Sequence, residues 1–354
     1  MLGAGGRRVV LAAIVGLSGL SVPTVVHADP GPAATSLTGA PSAAVARVGD
    51  RVVVRGSVTA TAARDVQLQQ LVGRSWRRVA DVDSTGTFAV NLPTDSPGVG
   101  TYRLLAPATG THAAGSSATF TVGVGEGDTK SHAFLTTPPV RWDPCTVVGY
   151  RVNLAGAPQG ALDDVRAAVA QASTASGVNY RYLGTTKVVP GARSTSVPDE
   201  YPDGTHLVIA YTTPSRTKFL EKRTNALGVA GVFYDLKAQK VGGRSWHRAV
   251  QGYVVINTTK NLPGGFGRGR ASGELGTWGQ VLMHEVGHTL GLDHPKTGDR
   301  AQIMYPETTY KEARWGAGDL AGLRRLGAVS GCFASGSGAT AAGPQNPMTA
   351  GIGR

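Results

Sequence analysis

The densest chemistry in the chain lies in eleven residues, 284–294, which read His-Glu-Val-Gly-His-Thr-Leu-Gly-Leu-Asp-His. His284 and His288 are four apart, so on a helix both project from one face, one turn from each other. Two imidazoles placed that way can grip a single Zn²⁺. Glu285 follows the first of them directly, where its carboxylate lies beside a metal rather than on it, the place of a general base acting on water. Gly291 lets the chain leave the helix through a conformation that other residues resist. That turn can bring His294 back as a third nitrogen ligand. Three protein ligands with a fourth position open are the pattern of a catalytic zinc site, whereas structural sites are closed. The competing explanation is a hydrogen-bonded cluster of core histidines. Against it, Trp278, Leu282, Val286 and Leu290 fall on the helix side away from His284 and His288, so one face packs and the other is free to bind.

This stretch, followed by Gln302-Ile303-Met304-Tyr305-Pro306, resembles the metzincin metallopeptidases and, within them, the matrixins. The resemblance implies that Met304 forms a hydrophobic floor beneath the zinc histidines, in a tight turn. It is strong across 277–327, weaker back to Trp142, and absent before that. A tyrosine two residues after the methionine, an extra ligand in some metzincins, is Pro306 here, so Tyr305 is not assigned to the metal. Matrixins often hold a second, structural zinc; His132, His206 and His247 lack the family spacing, and none is expected. Asp199, Glu200 and Asp203 form an acidic loop that could take Ca²⁺, but nothing in the pattern requires it.

The elements around the motif read as an α+β domain with a mixed sheet. Strands are expected at 147–152, 180–183, 207–211, 228–234 and 253–257. A helix is expected over 161–175, where Leu162, Val165, Val169 and Ala172 recur at helical spacing. The zinc-binding helix and a closing helix over 319–326 complete this domain, placed at 138–332. By resemblance, the strand near 228–233 is the edge that pairs with an extended substrate backbone.

Upstream, 41–124 alternates apolar and polar residues in short runs broken by Gly, Pro and Asp: Val52-Val53-Val54, Val66 and Leu68, Phe88, Val90 and Leu92, Tyr102 and Leu104, Phe120 and Val122. This is the pattern of an all-β sandwich of immunoglobulin type. A spacer or folding aid is the expected role, with a wall- or substrate-binding module or an inhibitory pro-domain as alternatives. Residues 125–137 read as a linker, and 333–354, rich in Gly, Ala and Pro, as a disordered tail.

Arg7 and Arg8 precede an apolar run from Val9 to Leu20, and Val26-His27-Ala28 offers a cleavage site before Asp29. Residues 1–28 therefore read as a secretory signal peptide, leaving no stable membrane anchor after cleavage. Secretion makes pairing of the two cysteines, Cys145 and Cys332, the expected state, with two buried thiols as the alternative. A matrixin propeptide commonly blocks the zinc with a cysteine; no cysteine precedes 145, so that latch is missing.

Thirty-five Lys and Arg against 23 Asp and Glu give a net charge of +12. Between 216 and 248, eight basic residues face only Glu221 and Asp235. A basic rim would attract anionic polymers or acidic substrates; a solvated loop is the plainer explanation, and nucleic acid is a poor fit to a secreted hydrolase. The sequence thus points to a secreted zinc metalloendopeptidase with protein or peptide substrates. The rival is a surface- or wall-binding protein in which the sandwich performs the task and the zinc domain is vestigial.

Overall fold

The computed structural model describes residues 31–270 and 275–334. The expected signal peptide and nearly all of the expected tail lie outside the described residues. Among those described, the chain is mostly β-structure with few helices, and no helix is long and apolar enough to cross a membrane.

The first nine strands are β1 (Leu37–Pro41), β2 (Val45–Arg47), β3 (Val52–Val58), β4 (Arg64–Val72), β5 (Ser75–Ser84), β6 (Thr87–Leu92), β7 (Gly98–Ala106), β8 (Gly115–Ser116) and β9 (Phe120–Gly125). They form two sheets, ordered β1-β3-β6 and β2-β9-β7-β4-β5, with β8 on β7. Strand alternation turns one side of each sheet inward. Val54, Phe88 and Val90 from the smaller sheet thereby share one apolar core with Val66, Leu68, Leu104 and Val122 from the larger.

The second half holds β10 (Ala133–Phe134), β11 (Val140–Arg141), β12 (Val148–Asn153), α1 (Ala161–Ser176), β13 (Tyr180–Thr185), β14 (Leu207–Thr212), α2 (Lys218–Glu221), β15 (Gly228–Tyr234), β16 (Gln239–Val241), β17 (Arg244–Asn257), α3 (Trp278–Thr289), β18 (Leu292–Asp293) and α4 (Ala317–Leu326). The main sheet is mixed. Strands β13, β12, β14 and β17 run parallel, while β15 and β16 lie antiparallel to the far side of β17. Strand β14 is buried at all six positions, as expected for a strand covered on both faces. Helices α1 and α3 pack together over this sheet, and α1 also meets α4.

Two stretches differ from the sequence reading. The basic stretch ending at 248 is not simply a solvated loop: residues 239–257 form a hairpin and one long strand. Gly242 and Gly243, with φ of 56° and 77°, make the tight two-residue turn that matches strand twist. Within 125–137, Ala133 and Phe134 pair with Asp293 and Leu292, so part of that stretch is built into the domain.

Cys145 and Cys332 form a disulfide across 187 residues of sequence, with Cα atoms 5.6 Å apart. The bridge ties the segment before β12 to the segment after α4. Replacing both cysteines by serine should lower unfolding free energy by about 2–5 kcal/mol in denaturant melts, because a long loop regains its freedom in the unfolded chain. An unchanged midpoint would mean that packing alone holds these ends.

Candidate metal and catalytic site

Helix α3 starts at Thr277, whose hydroxyl accepts from the Gln280 N–H, and ends where the Trp142 indole N–H donates to the Thr289 carbonyl at 2.8 Å. Every residue from Trp278 to Thr289 is buried, including the face that carries His284 and His288. Trp278, Leu282, Val286 and Leu290 all lie in the core, as their spacing predicts. The chain leaves the helix through Gly291, whose φ is 104°. A side chain there would be strained by that φ and would also collide with the Val140 carbonyl oxygen. Beyond the turn, β18 pairs with β10, and that short ladder delivers His294.

The three expected ligands converge. His284 Nε2 lies 3.1 Å from His294 Nε2 and 3.0 Å from His288 Nε2. On the other side of each helical ring, Nδ1 donates to a backbone carbonyl, His284 to Ile303 and His288 to Leu292, both at 2.8 Å. A carbonyl can only accept, so each Nδ1 carries the proton and each Nε2 presents a lone pair. Burial, then the neighbouring imidazoles, holds His284 far below its ordinary pKa. Burial likewise pushes His288 down to about 3, against the pull of the Leu292 carbonyl. Burial lowers His294 too, which Asp293 partly opposes. The rings are therefore neutral near pH 7, the state a metal requires. Zinc bound by nitrogens at about 2.0–2.1 Å in a tetrahedron places neighbouring donors roughly 3.3 Å apart, close to the spacing here. The donor set fits Zn²⁺.

Glu285 is fully buried on the same helix. Its neighbour is Gly228, the first residue of β15. A Cβ on Gly228 would lie 2.7 Å from Glu285 Oε1 and 2.9 Å from its Cδ. The missing side chain is what lets the carboxylate sit against the sheet edge. Met304 is buried under the helix, with its sulfur against Gly287, where an added Cβ would again have no room. Thus two glycines that the motif alone did not single out shape the site, one beside Glu285 and one beside Met304.

A further residue missed from sequence is Asp319, on the first turn of α4 and fully buried. Its carboxylate accepts from the N–H groups of Ile303 at 2.6 Å, Met304 at 3.3 Å and Gly316 at 3.0 Å. Burial pushes this carboxyl up to about 7, against the downward pull of those donors. It fixes the turn that carries both Met304 and the Ile303 carbonyl that holds His284. A lone aspartate at a helix start reads first as a cap, so the sequence offered no signal for this longer-range role.

The remaining polar candidates lie elsewhere. His206 Nδ1 accepts from the Gly149 N–H, while His132 and His247 each donate to a backbone carbonyl. Asp199 spends one oxygen on the Gly191 N–H at 2.7 Å.

Residues 254–319, from the end of β17 through α3 to Asp319, match the model of the family described as Peptidase M66. The match covers less than a fifth of the chain but includes all three histidines, Glu285 and Met304. It supports a peptidase, and the family is one of metallopeptidases. No curated protein matches the chain.

Gly228→Val should displace the Glu285 carboxylate while leaving the three imidazoles in place. Metal content per chain should stay that of the parent, and peptide hydrolysis should drop about 100-fold, the cost of misplacing a catalytic group by an ångström. Undiminished hydrolysis would show that the approach of β15 does not position Glu285.

Proposed function

We propose that this protein is a secreted zinc metalloendopeptidase of matrixin-like metzincin type, acting on internal bonds of extracellular proteins or peptides. The observation that carries the reading is the convergence of three neutral imidazole Nε2 atoms beside a buried glutamate, inside the peptidase-matching segment. In this reading 138–332 is the catalytic domain, 41–124 an immunoglobulin-like sandwich, and 1–28 an export signal that places the enzyme outside the cell.

His284, His288 and His294 would hold the zinc. When bound, zinc would supply Lewis acidity, polarising the scissile carbonyl and making water easier to deprotonate. The residues of the chain do the rest. Glu285 takes the proton of the attacking water on a carboxylate oxygen and passes it to the leaving amine nitrogen. The carbonyls of Ile303 and Leu292 keep the Nδ1 protons in place, so that Nε2 stays available and the rings cannot turn. Burial of the α3 face excludes bulk water and strengthens each of these interactions.

Substrate binding follows from the sheet. Strand β15 pairs only with β17 among the described strands, and its first residue touches the base. An extended substrate that added to this edge would run past Glu285, with main-chain hydrogen bonds fixing its register. The basic residues of β16 and the start of β17, Lys240 and Arg244, would favour acidic substrates or anionic wall polymers at low salt.

Two substitutions separate the roles. Glu285→Gln should keep one zinc per chain while hydrolysis of a fluorogenic peptide drops about 10²–10⁴-fold, since the ligands remain and the proton carrier is gone. Wild-type turnover in that variant would remove Glu285 from the mechanism. His294→Ala should weaken zinc by more than the roughly 10–100-fold typical of losing a ligand's outer partner. Full zinc affinity there would mean that another residue completes the set.

A further inference from the structure

The end of β9 does not leave the N-terminal sheets as a free tether. Gly125 runs directly against the start of α4: a Cβ there would collide with the backbone of Gly316 and Ala317. The next carbonyl, that of Glu126, accepts from the Ala317 N–H at 2.7 Å. The Asp128 N–H donates to the Asp299 carboxylate at 2.9 Å. Nearby, Gly123 of β9 packs on Leu320 of α4, and Arg324 donates to the Thr121 hydroxyl at 3.2 Å. Val45 and Val99 of the N-terminal sheets also pack on the core of the second half.

One buried side chain joins this junction to the histidines. Gln302 is 2% exposed and sits immediately before Ile303. Its amide nitrogen donates to Asp299 at 2.7 Å and, more weakly, to the Glu126 carbonyl at 3.4 Å. Its amide oxygen accepts from the Asp319 N–H at 2.9 Å. Asp319 in turn holds the N–H groups of Ile303 and Met304, and the Ile303 carbonyl holds His284. An amide is the group this place demands, because it must donate at one end and accept at the other.

We propose that Gln302 is a positioning residue through which the N-terminal two-sheet unit steadies the histidine centre. Docking of β9 against α4 sets where Glu126, Asp299 and the first turn of α4 lie. Gln302 bridges all three, and the turn that orients His284 is fixed as a result. In this reading the two halves act as one unit at the site, and the N-terminal unit is more than a passive spacer. The inference rests on reading the three histidines as a metal centre.

The test uses the full chain. Zinc affinity is measured by competition with a chromogenic chelator, and hydrogen exchange at the Ile303 and Met304 amides is measured in metal-free protein. Gln302→Glu sets a carboxylate against Asp299. It should weaken zinc about 10–100-fold, the range for losing an outer partner, and speed exchange at both amides. Gln302→Met, which keeps the bulk of the side chain but can neither donate nor accept strongly, should shift both readouts in the same direction. Gly125→Val lies at the junction and touches no ligand, yet should shift both readouts in the same direction. Val72→Ser, on the exposed β4–β5 hairpin, should match the parent in both.

A folded Gly125→Val with parental zinc affinity and parental exchange would overturn the proposal, as would a folded Gln302→Met with both at parental values. Should Gly125→Val not fold, Thr121→Val removes the hydroxyl that accepts from Arg324 and must still speed exchange at Ile303; parental exchange there overturns the proposal. If the parent chain binds no zinc, the metal reading fails on its own. The exchange rates then decide the coupling: faster in the Gln302 and Gly125 variants supports it, unchanged refutes it.

Discussion

His284 Nε2 lies about 3 Å from the Nε2 atoms of both His288 and His294, and the rest of the site depends on how these rings are held. The structure blocks rotation of His284 and His288 by giving each Nδ1 proton a backbone carbonyl, and it buries both rings so that water cannot substitute. The remainder of the second half can be understood as the means of bringing those two carbonyls to those two nitrogens.

The carbonyls come from different places. Leu292 belongs to β18, held by its pairing with β10 and reached through the positive-φ turn at Gly291. Ile303 belongs to the turn gripped by Asp319 from α4. The disulfide fastens the segment that follows α4 to the segment just before β12, a strand of the sheet that α1 and α3 cover. Local sequence sets the helix and its histidines; distant parts of the chain set which way the rings face.

That division explains what could be read in advance. The His284, Glu285, His288 and His294 constellation is a local pattern, with ligand spacing dictated by helical geometry, so it was legible residue by residue. Gly291 and the apolar face of α3 were legible for the same reason. The strand at 228–234 and the helix beginning at Ala161 follow from periodicity. Residues 239–252 were harder, because charged and glycine residues interrupt the alternation, although Gly242-Gly243 carried the hairpin signal. Gly228, Gly287, Gln302 and Asp319 were not legible at all. Their importance comes from what stands opposite them, across 57 residues of sequence for Gly228 and Glu285, and no local pattern encodes such a partner.

The central claim is that three imidazole nitrogens hold one zinc with a position left open, and X-ray absorption at the zinc edge of the reconstituted protein tests it most directly. The account predicts three histidine nitrogens and one oxygen at about 2.0–2.1 Å, with the outer-shell pattern of imidazole rings. Sulfur scattering at about 2.3 Å, or fewer than three imidazoles around the metal, would contradict it.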